Sequence, residues 1–162
     1  WNNIVYGYSA AGGSQGLCMY AQDNGTVYAY NNTCVGVSPA ATARGISVSG
    51  SIVFYAKNNI SIDSADPYAG TFDATSTNNL SDTGDAPGTN PKNAEPTFVN
   101  KAGNDYHLAA SDTGAKDQGT SLSSDAYLPF STDIEGQSRP FGSAWDIGAD
   151  EFCGSPAAQA EK

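Results

Sequence analysis

The sequence predicts an all-β fold: a solenoid of short parallel strands, about three rungs long, closed by an irregular C-terminal cap. Three observations predict it. An Asn-Asn pair followed by an apolar or β-branched residue recurs at Asn2-Asn3-Ile4, Asn31-Asn32-Thr33, Asn58-Asn59-Ile60 and Asn78-Asn79-Leu80, at spacings of 29, 27 and 20 residues. Repetition at such periods marks a stacked-repeat architecture. The segments between the pairs alternate apolar and variable residues with a period of two and show no helical spacing. Finally, 18 glycines in 162 residues, with Asn, Ser, Thr and Asp throughout, suit many short strands and turns in one domain.

Setting the corners in register pairs Val27 with Phe54, Tyr28 with Tyr55, Ala29 with Ala56 and Tyr30 with Lys57. Beyond the corner, Ile4, Thr33, Ile60 and Leu80 coincide, as do Tyr6, Val35 and Ile62. Upstream, Gly16-Leu17-Cys18-Met19 lies over Gly45-Ile46-Ser47-Val48. A corner that returns every rung needs residues that tolerate the left-handed backbone region, and after glycine asparagine does so at least cost. Stacked asparagine amides also bond to one another from rung to rung, which assigns Asn31, Asn32, Asn58, Asn59, Asn78 and Asn79 to a structural ladder. Parallel pairing directs Leu17, Met19, Val27, Ala29, Val35, Ile46, Val48, Phe54, Ala56, Ile60 and Ile62 inward. Each large side chain so buried contributes about 1.5–3 kcal/mol. A two-layer sandwich also accepts Gly-rich alternating strands, but the in-register repeat favours the solenoid.

In chain order, Trp1 opens directly on the first corner. The expectation is that residues 1–84 are the final rungs of a longer chain; the alternative is an open rung that docks on another copy. The rungs become shorter and more polar through residues 71–82, and residues 84–96 read as a loop without periodicity. Residues 85–153 read as a capping region with short strands at Pro96–Val99 and Asp105–Leu108, and residues 154–162 as a flexible tail.

The cap is the most recognisable part. The succession PTFVN (96–100), DYHLAASD (105–112), KDQGT (116–120), DIEGQSRP (133–140) and DIGADEF (146–152) resembles the C-terminal module of secreted bacterial right-handed parallel β-helix proteins. These belong to the pectin-lyase-like superfamily and carry a choice-of-anchor-type cap. The resemblance covers nearly the whole chain and implies a right-handed β-helix and a secreted or cell-surface location. It does not imply one activity. The family usually has Ser-Pro and an apolar residue before Asp-x-Gly, where this chain has Ser111-Asp112-Thr113-Gly114-Ala115-Lys116, a departure confined to one loop. Asp133, Arg139, Asp146 and Glu151 read as a structural set, with carboxylates capping loop N–H groups and an arginine fork bridging carboxylate or carbonyl.

Net charge of −10 disfavours nucleic acid and anionic lipid as partners, because a phosphate-binding face needs clustered Lys and Arg. No apolar run reaches membrane-spanning length. A β-helix lyase needs cations to neutralise the uronate and a base to take the neighbouring proton, and a glycosidase needs two facing carboxylates. Neither is visible: Arg44, Lys57, Asp63 and Asp66 are the only charges from Arg44 to Pro67. No catalytic residue is therefore assigned, and enzymatic activity is left open. Tyr28, Tyr30 and Tyr55, with Lys57 beside them, are the candidate carbohydrate contacts, since outward rings in a column make a platform for sugars.

His107, the single histidine, reads as a structural residue of a cap strand. Asp63, Asp66, Asp82 and Asp85 offer oxygen ligands for Ca²⁺ but lack calcium-loop spacing, and ordinary Asx turns account for them. No other metal site or cofactor is assigned. Three cysteines allow at most one internal disulfide; Cys18 and Cys34 follow the outward phase on different strands of one turn and are a candidate pair. Asn24, in the turn DNGT, is the candidate glycosylation acceptor, since Asn31, Asn59 and Asn79 are claimed by the ladder.

Two functions fit. One is an extracellular structural or adhesive module of a surface protein or filament, touching polysaccharide through its tyrosines. The other is the C-terminal, non-catalytic portion of a polysaccharide lyase or glycoside hydrolase. A fold shared by all of these does not decide between them.

Overall fold

The structure, a computed structural model, describes residues 1–9, 16–37 and 42–154. The residues from 155 onward, most of the expected tail, lie outside the described residues. The fold is all-β, with a single short 3-10 turn at Lys101–Gly103 among the described residues. Its strands are β1 (Ile4–Tyr8), β2 (Leu17–Ala21), β3 (Asn24–Tyr30), β4 (Thr33–Gly36), β5 (Arg44–Val48), β6 (Ser51–Lys57), β7 (Ile60–Ile62), β8 (Asp66–Ala69), β9 (Leu80–Ser81), β10 (Lys92–Asn93), β11 (Phe98–Asn100) and β12 (Asp105–Leu108). They form separate sheets: β1-β4-β7-β9-β10, β2-β5-β8 and β3-β6, all parallel, and an antiparallel β11-β12 pair. Each parallel strand pairs with its counterpart in the next repeat, so the repeats stack.

The register around the corners follows the sequence repeat. Val27 faces Phe54, Tyr28 faces Tyr55, and Tyr30 faces Lys57; Thr33 faces Ile60, which faces Leu80. The first strand of each repeat departs from it. Met19 pairs with Ile46 and Ala21 with Val48, two residues away from the alignment that the glycines suggest. The turn downstream sets this register: Asp23 and Gly50 occupy equivalent positions at φ 77° and 75°, and Ser51 N–H donates to the Asp23 carbonyl at 2.7 Å. A two-residue shift keeps every side chain on its own face, so the alternation alone could not reveal it.

The five-stranded sheet also runs past residue 84. β10 pairs with β9, Lys92 facing Leu80, within the stretch expected to lack periodicity. Asn90 turns this extra corner at φ 57°, beside 50–53° at Asn2, Asn31, Asn58 and Asn78. The only trace in the sequence is Thr89-Asn90, which repeats Thr77-Asn78.

Among the described residues the core has two main chambers, one on each face of the five-stranded sheet, and a smaller third cluster of Tyr30, Leu122 and Trp145. Inside the stack, Ala29, Ile46, Val48, Phe54, Ala56 and Tyr68 pack together, with Met19 and Val27 at the margin. Val35, Ile60 and Ile62, expected in that interior, belong instead to the opposite face. There they meet Leu80 and the cap residues Phe98, Tyr106, Leu108, Ala115 and Ile147. The residues that face inward from β4 and β7 are Cys34 and Ser61: Cys34 lies in the first chamber, and Ser61 Oγ donates to the Pro67 carbonyl at 2.8 Å. Gly148 lets the cap approach this closely, since a Cβ there would lie 2.6 Å from Ile60 Cδ1, and its φ of +100° suits glycine.

Candidate functional site

The two asparagines of each corner do different work, where one common ladder was expected. The second residue builds the ladder inside the stack. Asn3 Nδ2 donates to Asn32 Oδ1 at 2.9 Å, Asn32 Nδ2 to Asn59 Oδ1 at 2.9 Å, and Asn59 Nδ2 to Asn79 Oδ1 at 3.0 Å. The first residue, held in the left-handed region, turns its amide outward to the cap. Asn2 Nδ2 donates to the Thr132 carbonyl, Asn31 Nδ2 to those of Asp146 and Gly148, Asn58 Nδ2 to Thr120, and Asn78 Nδ2 to Gln118. Asn31 and Asn58 also share a bond of 3.1 Å. The cap is thus fastened along one row of corners.

The cap's own polar centre is Arg139, fully buried. Its Nη1 donates to Glu151 Oε2 at 2.8 Å and to the Asp146 carbonyl at 3.2 Å, and Nη2 donates to the carbonyls of Gly148 and Ala149. Glu151 also accepts from the N–H groups of Phe141 and Asp146. Asp133 accepts from Glu135, Gln137 and Glu151, and Asp146 from Asp117 and Phe152. Burial, with the Glu151 carboxylate nearby, raises the Asp146 carboxyl to about 7. In the loop 111–116, Asp112 caps the N–H groups of Thr97, Ala115 and Lys116. These residues are spent on holding chain to chain. A cavity of about 180 Å³ beside this centre, lined by Lys116, Asp117, Phe141, Gly142, Asp146 and Phe152, is small for a ligand site, which typically measures about 300–1,000 Å³.

The candidate carbohydrate contacts divide. Tyr30 is fully buried with Leu122 and Trp145, and Lys57 lies over its ring, ammonium to centroid 5.1 Å. The Lys57 ammonium bonds Asp125 at 2.6 Å. Burial works against the charge of Asp125, but Lys57 and the N–H groups of Tyr127 and Leu128 hold its carboxyl below the usual range. Neither Tyr30 nor Lys57 is presented outward as expected, because residues 120–130 of the cap fold over them. Tyr28 and Tyr55 stay half-buried and stack at 5.1 Å with an 8° interplanar angle. Tyr127, 60% exposed, stacks on both, at 4.8 Å from Tyr28 and 5.8 Å from Tyr55. No local pattern in the sequence marks Tyr127, which joins the patch from 72 residues beyond Tyr55.

The acidic residues considered for Ca²⁺ also divide. Asp66 pairs with Arg44 at 3.6 Å, and Asp85 caps the Tyr68 N–H. Asp63 and Asp82 gather with Glu95, but the Lys101 ammonium already sits on Asp63 at 2.6 Å and on Glu95. His107 lies between Asp105 and Glu135.

Cys18 and Cys34 form a disulfide with Cα atoms 5.8 Å apart, tying β2 to β4. Both contact the interior cluster and Cys34 is fully buried, which corrects the outward phase read for it. Cys153 is a free thiol. Asn24 is exposed at the start of β3, whereas Asn31, Asn59 and Asn79 are buried. Among the described residues no helix is long and apolar enough to cross a membrane.

No protein-family model, curated protein or solved structure matches the chain.

Proposed function

We propose that this chain is a structural and adhesive module of a secreted or cell-surface protein, built as the closing coils of a right-handed parallel β-helix of the pectin-lyase-like kind. Its cap lies along one row of corners, and its surface tyrosine cluster contacts extracellular polysaccharide. One observation carries the contact: Tyr28, Tyr55 and Tyr127 form a cluster of three near-parallel rings at the surface, with centroids 4.8–5.8 Å apart. Flat aromatic faces suit the apolar faces of sugar rings. The parallel sheets, the returning left-handed corners and the burial of the cap carboxylates support the structural half of the reading. The edges of β1, β2 and β3 lie at one end of their sheets and carry strand groups that a further coil, from this chain or another copy, would pair.

The test is binding to immobilised neutral and uronate-containing polysaccharides by affinity electrophoresis. Retardation by at least one glycan, reduced several-fold in Tyr127→Ala and Tyr55→Ala, supports the contact. Equal mobility of the wild type and both variants in every gel removes it. The alternative, the non-catalytic end of a polysaccharide lyase or glycoside hydrolase, uses the same tyrosines to hold its substrate.

A further inference from the structure

His107, Glu135 and Asp150 come together from three segments of the cap: strand β12, the turn that follows Asp133, and the run leading to Phe152. One ligand-capable atom from each lies within 4.8 Å of the others. His107 Nε2 and Glu135 Oε1 are 3.2 Å apart. Two ligands on one tetrahedral ion, with bonds of about 2.0–2.1 Å, sit roughly 3.4 Å apart, so this pair, hydrogen-bonded to each other as they stand, would need little movement to share an ion. The other ring nitrogen, Nδ1, is held by Asp105 Oδ1 at 2.6 Å. A carboxylate at Nδ1 fixes the ring and leaves Nε2 to serve as ligand, an arrangement common in histidine–metal sites.

Asp150 supplies an independent observation. It is 2% exposed, and its Oδ2 accepts the Leu108 N–H at 2.7 Å, while Oδ1 is buried with no partner. A buried carboxylate oxygen left bare carries an uncompensated desolvation cost. Among the described residues no lysine or arginine pairs with this cluster, whereas the other acidic group, Asp63, Asp82 and Glu95, has the Lys101 ammonium in its midst. That second group already holds an ammonium, whereas the first has only the His107 imidazole among its carboxylates.

We propose that His107, Glu135 and Asp150 bind one divalent first-row transition ion of the Zn²⁺ type, with Asp105 orienting the imidazole. An imidazole nitrogen beside two carboxylates suits Zn²⁺, whereas Ca²⁺ takes oxygen ligands throughout. Three protein ligands leave a fourth position for water. The ion ties β12, the 133–137 turn and the C-terminal run together, so it acts as a clamp on the cap. This goes beyond the proposed glycan contact, which lies on another part of the surface and does not depend on it.

The test is equilibrium dialysis of the full chain against ZnCl₂ and, separately, CaCl₂, with bound metal counted by elemental analysis. A Cys153→Ser background removes the free thiol as a competing ligand. The expected result is one Zn²⁺ per chain, no stoichiometric Ca²⁺, and a rise in melting temperature with Zn²⁺. His107→Gln and Glu135→Gln change side chains that are about a third exposed, so they keep the fold, checked by circular dichroism, and weaken Zn²⁺ binding at least tenfold. Asp63→Asn leaves binding unchanged. Co²⁺ gives a visible absorption band that is absent in His107→Gln. Failure of the Cys153→Ser protein to retain Zn²⁺, retention undiminished in His107→Gln, or preference for Ca²⁺ would each overturn the assignment.

Discussion

In the stacked repeats each asparagine amide has an equivalent in the repeat above or below it, whereas in the cap a single guanidinium joins Glu151 to the carbonyls of Asp146, Gly148 and Ala149. The stack is redundant and the cap is not. Both bury polar groups, but the stack distributes them along a ladder of neutral amides, and the cap concentrates charge around Arg139. The difference teaches where the molecule is most sensitive to one substitution. Arg139→Met removes the cation and leaves Glu151 buried and uncompensated, a change that typically costs about 3–5 kcal/mol. The expected result in urea unfolding is a large fall in midpoint, with loss of the near-ultraviolet signal of Trp145, whose ring centre lies 5.6 Å from the guanidinium. A loss below about 1 kcal/mol would place the cap's stability in its apolar chamber instead.

The concentrated charge of the cap also makes it the pH-sensitive region. The Asp146 carboxyl stands at about 7 in the folded chain against an ordinary 3.8. Between those values the folded state keeps a proton that the unfolded state releases, so stability falls as pH rises toward 7. One such proton is worth about 1.4 kcal/mol per pH unit at the steepest point, giving a loss of roughly 2–3 kcal/mol from pH 5 to 8. The carboxyls of Asp105, Asp117 and Asp125, held below their ordinary range, act oppositely and lose their contribution as the solution becomes more acidic than about pH 4. Urea midpoints at several pH values check this. Asp150, also raised to about 7 by burial, adds a decline of its own, so Asp146→Asn makes the fall between pH 5 and 8 shallower without abolishing it; a wild-type curve already flat there would contradict it.

The corner pair allows the two regions to be compared within one dipeptide. Asn59→Ala breaks the inner ladder, removing bonds to Asn32, Asn79 and the Ala29 carbonyl. Its expected cost is about 2 kcal/mol, with hydrogen exchange accelerating in β4, β7 and β9. Asn58→Ala removes the two bonds to Thr120 and one to Asn31, and places alanine at φ 53°. About 1–2 kcal/mol is expected there, with exchange accelerating mainly in residues 118–122. Identical exchange patterns in the two variants would mean that stack and cap open as one unit.

This division of labour shows which features a sequence can disclose. The corners are legible because a left-handed residue is required at one place in every repeat, and few residue types meet that demand cheaply. The pairing of β3 with β6 is legible for the same reason, since it is counted from the corner. The inside of the five-stranded sheet is not. A sheet covered on both faces gives no polar side to mark the outside, so Val35, Ile60 and Ile62 read as interior while Cys34 takes that place. Burial of Tyr30 and Lys57 depends on residues 120–130, and the gathering of His107, Glu135 and Asp150 on three segments distant in sequence. Neither has a local signature.

The smallest effect is expected at Tyr127, where the cap's loop meets the side of the stack. Its ring is 60% exposed yet stacks on Tyr28 and Tyr55. Aromatic pairs typically add about 0.5–1.5 kcal/mol beyond the area they bury, and Asp125 anchors the same loop through Lys57 without help from Tyr127. Tyr127→Ala should therefore cost less than about 1 kcal/mol in urea unfolding. A residue kept for surface contact loses little stability when truncated and much binding; one kept as a clamp does the reverse. A stability loss above about 2 kcal/mol with unchanged glycan retardation would assign Tyr127 to the cap's architecture and leave Tyr28 and Tyr55 covered rather than presented.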